Sequence, residues 1–79
     1  MRLLDVDTDR AISNICVYLT PAEAKEMLGS LEELVGSPET HHFHLDDAEY
    51  KHEISIAVYS DQNMSQFDER SKRLIVDGT

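Results

Sequence analysis

The stretch THHFHLDDAEYKHEISIAVYS, residues 40–60, decides the fold. Residues 40–46 alternate apolar with polar side chains, DAEYK is a polar connection, and HEISIAVYS (52–60) alternates again with β-branched residues, the pattern of an antiparallel hairpin. Burial of one side then fixes the faces, because Phe43 and Leu45 must join Ile54, Ile56 and Val58 on the covered side. A register placing Leu45 opposite His52 achieves this. It leaves His42 and His44 on the outer face beside Glu53 and Ser55, with His44 facing Glu53, while His41 and His52 fall on the other side at different ends of the hairpin.

Upstream of the hairpin, Thr20-Pro21-Ala22-Glu23 supplies a capping hydroxyl, a proline at the first helical position and a glutamate at the third, the elements of a capping box. A helix therefore starts at Pro21. Ala24, Met27, Leu28, Leu31, Leu34 and Val35 recur at steps of three and four to form one apolar stripe, and Gly36-Ser37-Pro38 stops it. Gly29 inside the helix costs about 1 kcal/mol relative to alanine, so close packing against a neighbour is the expected compensation. At the N-terminus, RLLDV (2–6) and ISNICVYL (12–19) flank the turn-forming DTDR and read as a first hairpin, with Ile15, Val17 and Leu19 sharing a face. At the C-terminus, Ser65 is placed to cap a second helix, QFDERSKRLIV, carrying Phe67, Arg70, Ser71, Leu74 and Ile75 along one side and the spaced pairs Asp68–Lys72 and Glu69–Arg73. The alternative for this segment is a last strand over RLIVD.

The resulting architecture is α+β: an antiparallel sheet of about four strands with two helices on one face, in the order ββαββα, as a single domain over residues 1–79. A chain of 79 residues buries only about 60% of the surface its unfolded form exposes, so a deep cavity would compete with the core for the same few apolar side chains. No apolar run approaches the ~18 residues of a membrane span, and MRLLDVDTDR lacks the parts of a secretory leader, which points to the cytoplasm. Cys16 is the only cysteine, which rules out an intramolecular disulfide, and it reads as a small buried apolar residue.

Charge narrows the partners. The net charge is −9; residues 1–69 hold 15 acids against 4 bases, whereas residues 70–79 carry Arg70, Lys72 and Arg73 against Asp77. Such a field repels a phosphate backbone, so nucleic acid is not an expected partner, and neither is a membrane; the functional meaning of the charge would be steering toward a basic protein.

The histidine-rich segment admits a metal reading, since residues two apart on a strand supply two ligands and Glu53, or Asp46 beyond His44, a third, making His42, His44 and Glu53 the metal candidates. H-H-x-H followed eight residues later by H matches no motif with fixed ligand mechanics, however, and a solvated strand face is the plainer reading. No serine sits in a nucleophile elbow, Cys16 has no helix N-terminus to activate it, and Gly29, Gly36 and Gly78 make no phosphate loop, so the chain reads as a non-enzyme without a cofactor.

The succession of apolar helix, glycine, HHFHLDD and the strand EISIAVY resembles a small immunity-protein family of bacterial polymorphic toxin systems, in which a helix precedes an H-x-H-L-D segment and a closing apolar strand. The likeness spans residues 20–59 and rests on His42, Phe43, His44, Leu45 and Asp46; the first hairpin and the basic C-terminal helix have no counterpart. The resemblance implies a stoichiometric binder that occludes a toxin, and it transfers no catalytic residue. The expected contact surface comprises His42, His44, Asp46, Asp47, Glu49, Tyr50 and Glu53, with Tyr50 as an aromatic anchor at a polar hairpin tip unless it folds back onto the sheet. A homodimer joined through an open sheet edge or face is the second reading.

Overall fold

A computed structural model describes residues 1–37 and 42–79. Pro38, Thr40 and His41, which the sequence assigns to the helix stop and the start of the strand, lie outside the described residues. The elements are β1 (Leu3–Asp5), β2 (Arg10–Ile12), α1 (Pro21–Gly36), β3 (His42–Asp46), β4 (Glu53–Ala57) and α2 (Glu69–Asp77), with a 3₁₀ turn at Met64–Gln66 before α2. The expected order ββαββα is present. The strands nevertheless form two separate two-stranded antiparallel sheets, β1–β2 and β3–β4, instead of one sheet of four. The chain divides accordingly into two compact units, Tyr18–Tyr59 and the pair Met1–Val17 with Ser60–Thr79.

In the unit Tyr18–Tyr59, α1 starts where its cap dictates. Thr20 accepts from the Glu23 backbone N–H at 3.2 Å, and the Glu23 carboxylate accepts from the Thr20 N–H at 2.9 Å, closing the box in both directions. The helix packs on β3. Leu34 and Leu45, 3% and 4% exposed, form the buried centre, flanked by half-buried Met27, Leu31, Phe43, Ile54 and Ile56. Burying Leu45 fully contributes about 1.5–3 kcal/mol, and a two-stranded hairpin needs such a helix against it to persist. Two expectations for α1 are corrected. Ala24, Leu28 and Val35 stand exposed because β3 covers only one edge of the apolar stripe. A Cβ at Gly29 would meet nothing within 4 Å among the described residues, so close approach by these is not what its missing side chain serves.

The second hairpin has the expected faces over its paired residues in a different register, while Val58, expected on the covered side, lies past β4 and is exposed. Leu45 lies opposite Ile54 and Phe43 opposite Ile56, a shift of two residues from the Leu45–His52 pairing. An even shift keeps every side chain on its face, so the pattern of alternation satisfies both registers and the turn chooses between them.

In the other unit, Leu3, Leu4 and Asp5 pair with Ile12, Ala11 and Arg10. Asp5 Oδ1 accepts from the backbone N–H groups of Asp7 and Thr8 and holds the turn. The expected strand over 12–19 ends at Ile12. The paired residues of β1 are Leu3–Asp5, whose partners end at Ile12, so residues 13–19 extend past the ladder. Ile15, Cys16 and Val17 are exposed, which corrects the reading of Cys16 as a buried residue.

Helix α2 begins at Asp68 instead of Ser65. The Asp68 carboxylate accepts from the Ser71 N–H at 2.7 Å, while Phe67 in extended conformation separates the 3₁₀ turn from the helix. Serving as the cap, Asp68 is not the ion-pair partner of Lys72; Lys72 reaches Glu69 at 3.5 Å, three residues away, in place of the expected Glu69–Arg73 pair. The RLIVD segment is helical to Asp77, and Gly78 closes it in the left-handed region at φ 78°, donating to the Leu74 carbonyl. Leu74 is the buried residue of this helix. Two arginines hold α2 to its hairpin: Arg2 Nε donates to the Ile75 carbonyl at 3.2 Å, and Arg70 Nε to Asp9 Oδ1 at 2.7 Å.

Candidate functional site

Alternation along β3 and β4 sorts chemistry onto one face. With Leu45 held beneath α1, His42, His44 and Asp46 point the opposite way, and the register sets them against Ala57, Ser55 and Glu53 respectively. His42, His44, Asp46 and Glu53 are all exposed, as the sequence anticipates.

Local contacts order this face. The His42 and His44 rings meet edge to face with centroids 5.2 Å apart. His44 Nδ1 lies 2.6 Å from Ser55 Oγ and 3.0 Å from Glu53 Oε1. The Glu53 contact is thus diagonal, since Ser55 occupies the directly opposite position. Asp46 stands directly across from Glu53, and two carboxylates so placed repel; the imidazole contact to Glu53 offsets part of that cost when the ring is protonated.

The same geometry bears on catalysis. Ser55 Oγ lies 2.6 Å from His44 Nδ1 and 3.3 Å from Glu53 Oε1. A nucleophile–base relay needs serine against one imidazole nitrogen and an acid orienting the other. Here serine and acid crowd the same nitrogen. Among the described residues no group of three or more His, Cys, Asp or Glu side chains is placed to hold a metal ion, so His42, His44 and Glu53 do not converge as ligands.

The loop Asp47–His52 is built by Asp47. Its N–H donates to the His52 carbonyl at 3.2 Å and its carbonyl accepts from the Tyr50 N–H at 3.1 Å. Its carboxylate accepts from the Lys51 N–H at 2.8 Å and contacts His52 Nδ1 at 2.6 Å. The His52 hydrogen bond, with help from the backbone donors, holds the Asp47 carboxyl below the usual aspartate range. Asp47 thus serves the turn. Tyr50 takes a left-handed conformation at φ 55° and is 83% exposed as a residue, so it does not fold back onto the sheet. Glu49 pairs with Lys51 at 2.9 Å in the open. Sequence reasoning missed the part played by His52; the Asp47-to-His52 spacing across a polar loop, with an aspartate able to bond backbone groups ahead of it, was the available signal.

Charge is unevenly divided. Residues 18–59 contain nine acids and two lysines, net −7, together with all four histidines, while residues 1–17 and 60–79 contain seven acids and five bases, net −2. In the latter unit an open hollow of about 370 Å³ is lined by Leu3, Ile12 and Leu74 with Arg2 and Ser13, and neither acid nor imidazole lines it.

Among the described residues no helix is long and apolar enough to cross a membrane. The chain matches no protein-family model, no curated protein and no solved structure.

Proposed function

We propose that the chain is a non-catalytic acidic binding protein of the immunity or inhibitor kind, which occludes a basic protein, such as a toxin or effector, with the outer face and loop of its second hairpin. The observation that carries this reading is an open row of imidazoles and carboxylates, His42, His44, Asp46 and Glu53, ending in the exposed ring of Tyr50 on the unit that holds most of the negative charge. A field of this sign raises the encounter rate with a cationic surface, and an exposed aromatic at the end of a polar row supplies anchoring area at low entropic cost. Asp47 and His52 preorganise the loop, with Glu49 at its rim. The resemblance of residues 20–59 to the immunity proteins agrees with this assignment.

The test uses the chain as bait in an extract of its own cells, side by side with a Tyr50→Ala/Glu53→Ala double variant. A basic protein retained in stoichiometric amount by the first and lost from the second supports the surface. Equal retention by both shows that the surface is wrong. A second reading, a homodimeric accessory protein joined through the hairpin, draws on the fact that β3 and β4 are both edge strands. Cross-links between the hairpins of two copies would favour it and remove the surface assigned to a partner.

A further inference from the structure

The uncovered edge of α1 has a pattern that the hairpin reading does not use. Ala24, Leu28, Leu31 and Val35 follow one another at steps of four, three and four, the spacing of a coiled-coil seam over two heptads. Leu28 is 59% and Val35 76% exposed, Ala24 is exposed and Leu31 half-buried. Beside the seam, Lys25 and Glu32 lie one heptad apart on the solvent flank, both exposed. On the other flank Met27 and Leu34 are taken up by packing beneath the hairpin.

We infer that this seam pairs with the same seam of a second copy, antiparallel, about a two-fold axis passing between Leu28 and Leu31. Self-complementarity selects the occupant. In this arrangement Leu28 meets Leu31 of the second copy, and small Ala24 meets larger Val35, so side-chain volumes alternate across the contact. Residues on the solvent flank of antiparallel helices face each other, which sets Lys25 against Glu32 of the second copy twice over. A parallel pairing would bring that charged flank against Met27 and Leu34, where the hairpin already sits.

The contact spans only two heptads, below the ~1,200 Å² of a standard interface, and the net charge of −9 opposes the meeting of two copies, so the dimer forms in a concentration-dependent way. It leaves the outer hairpin face open and does not depend on the proposed partner.

Sedimentation equilibrium of the whole chain at about 0.15 M salt, where the Debye length is about 8 Å, tests the inference. The expected weight-average mass climbs from 9.0 kDa toward twice that value as concentration rises. Lys25→Glu and Glu32→Lys each weaken association about fivefold, the size of two exposed ion pairs, and the combined exchange restores it because each pair re-forms with its signs reversed. Leu28→Lys abolishes association, with far-ultraviolet dichroism confirming that the helix remains. A mass of 9.0 kDa at every concentration overturns the inference. So does association indifferent to the single charge changes, or a combined exchange as weak as either alone.

Discussion

Asp47 shows how one side chain can set a turn and couple it to pH. Its carboxylate contacts an imidazole and accepts a backbone N–H, and both interactions favour the ionised form. A carboxyl held below its unfolded value of about 3.9 contributes stability that is present above about pH 4 and is lost as pH falls through the lowered value. Carbon-detected titration should therefore find Asp47 ionising below an ordinary aspartate, and His52→Ala should move that midpoint upward. An unchanged midpoint would mean that the His52 contact is not what holds the charge. Arg70 makes a comparable argument in the other unit. Its side chain is only 20% exposed, Nε bonds Asp9 Oδ1, Nη2 bonds the Asp9 and Thr79 carbonyls, and Nη1 is buried with no hydrogen-bond partner among the described residues. A planar fork is required to reach these acceptors together, so Arg70→Lys should recover little of the stability lost in Arg70→Ala, a loss of about 1.5–3 kcal/mol by urea denaturation.

At the scale of elements, α1 is governed by its ends and by one face. Thr20→Ala removes the hydroxyl that accepts from the Glu23 N–H while leaving the Thr20 N–H bonded to the Glu23 carboxylate, and should cost about 1 kcal/mol in urea denaturation. Gly29→Ala should stabilise by about 0.5–1 kcal/mol, because the added carbon meets open space within a helix. A loss on that substitution would reveal a contact at Gly29 that the fold does not contain. Leu45→Ala opens the space beneath Leu34 and should cost about 2–5 kcal/mol, enough to unfold the hairpin against α1.

These elements also show what could be read from the sequence. The start of α1 was legible because Thr20 and Glu23 satisfy each other across three residues, without help from the rest of the chain. The faces of β3 and β4 were legible for the same reason, since alternation is local. Their register was not, because a shift of two residues preserves every face and the choice fell to Asp47 and His52 closing a six-residue loop. The overlong second strand failed differently: Ile15, Val17 and Leu19 alternate as a strand should, but a strand exists only where a partner lies alongside. In α2, Ser65 and Asp68 were both cap residues by type, and the carboxylate won with an extended Phe67 before it. Among the site residues, the outward placement of His42, His44, Asp46 and Glu53 followed from alternation alone, whereas the use of Asp47 within the loop depended on a side-chain contact that no periodicity encodes.

Across the whole molecule, the element order anticipated one sheet of about four strands, and among the described residues the strands instead pair within their own hairpins. Hairpin closure is local and short in sequence, so each ladder forms without the other, and each hairpin acquires its own helix. The charge follows this division, with net −7 on residues 18–59 and net −2 on the remainder. Steered association with a basic partner should accordingly slow as salt is raised, with the dissociation rate changing much less. Stopped-flow rates that ignore ionic strength would separate the acidity of the chain from its binding.

The proposal that the outer hairpin face is a binding surface is tested most directly by carbethoxylation of the histidines, free and in complex with the protein that the wild-type bait retains. The account predicts that His42 and His44 react readily in the free chain and are protected in the complex. Equal reaction of both imidazoles with and without the partner would contradict it.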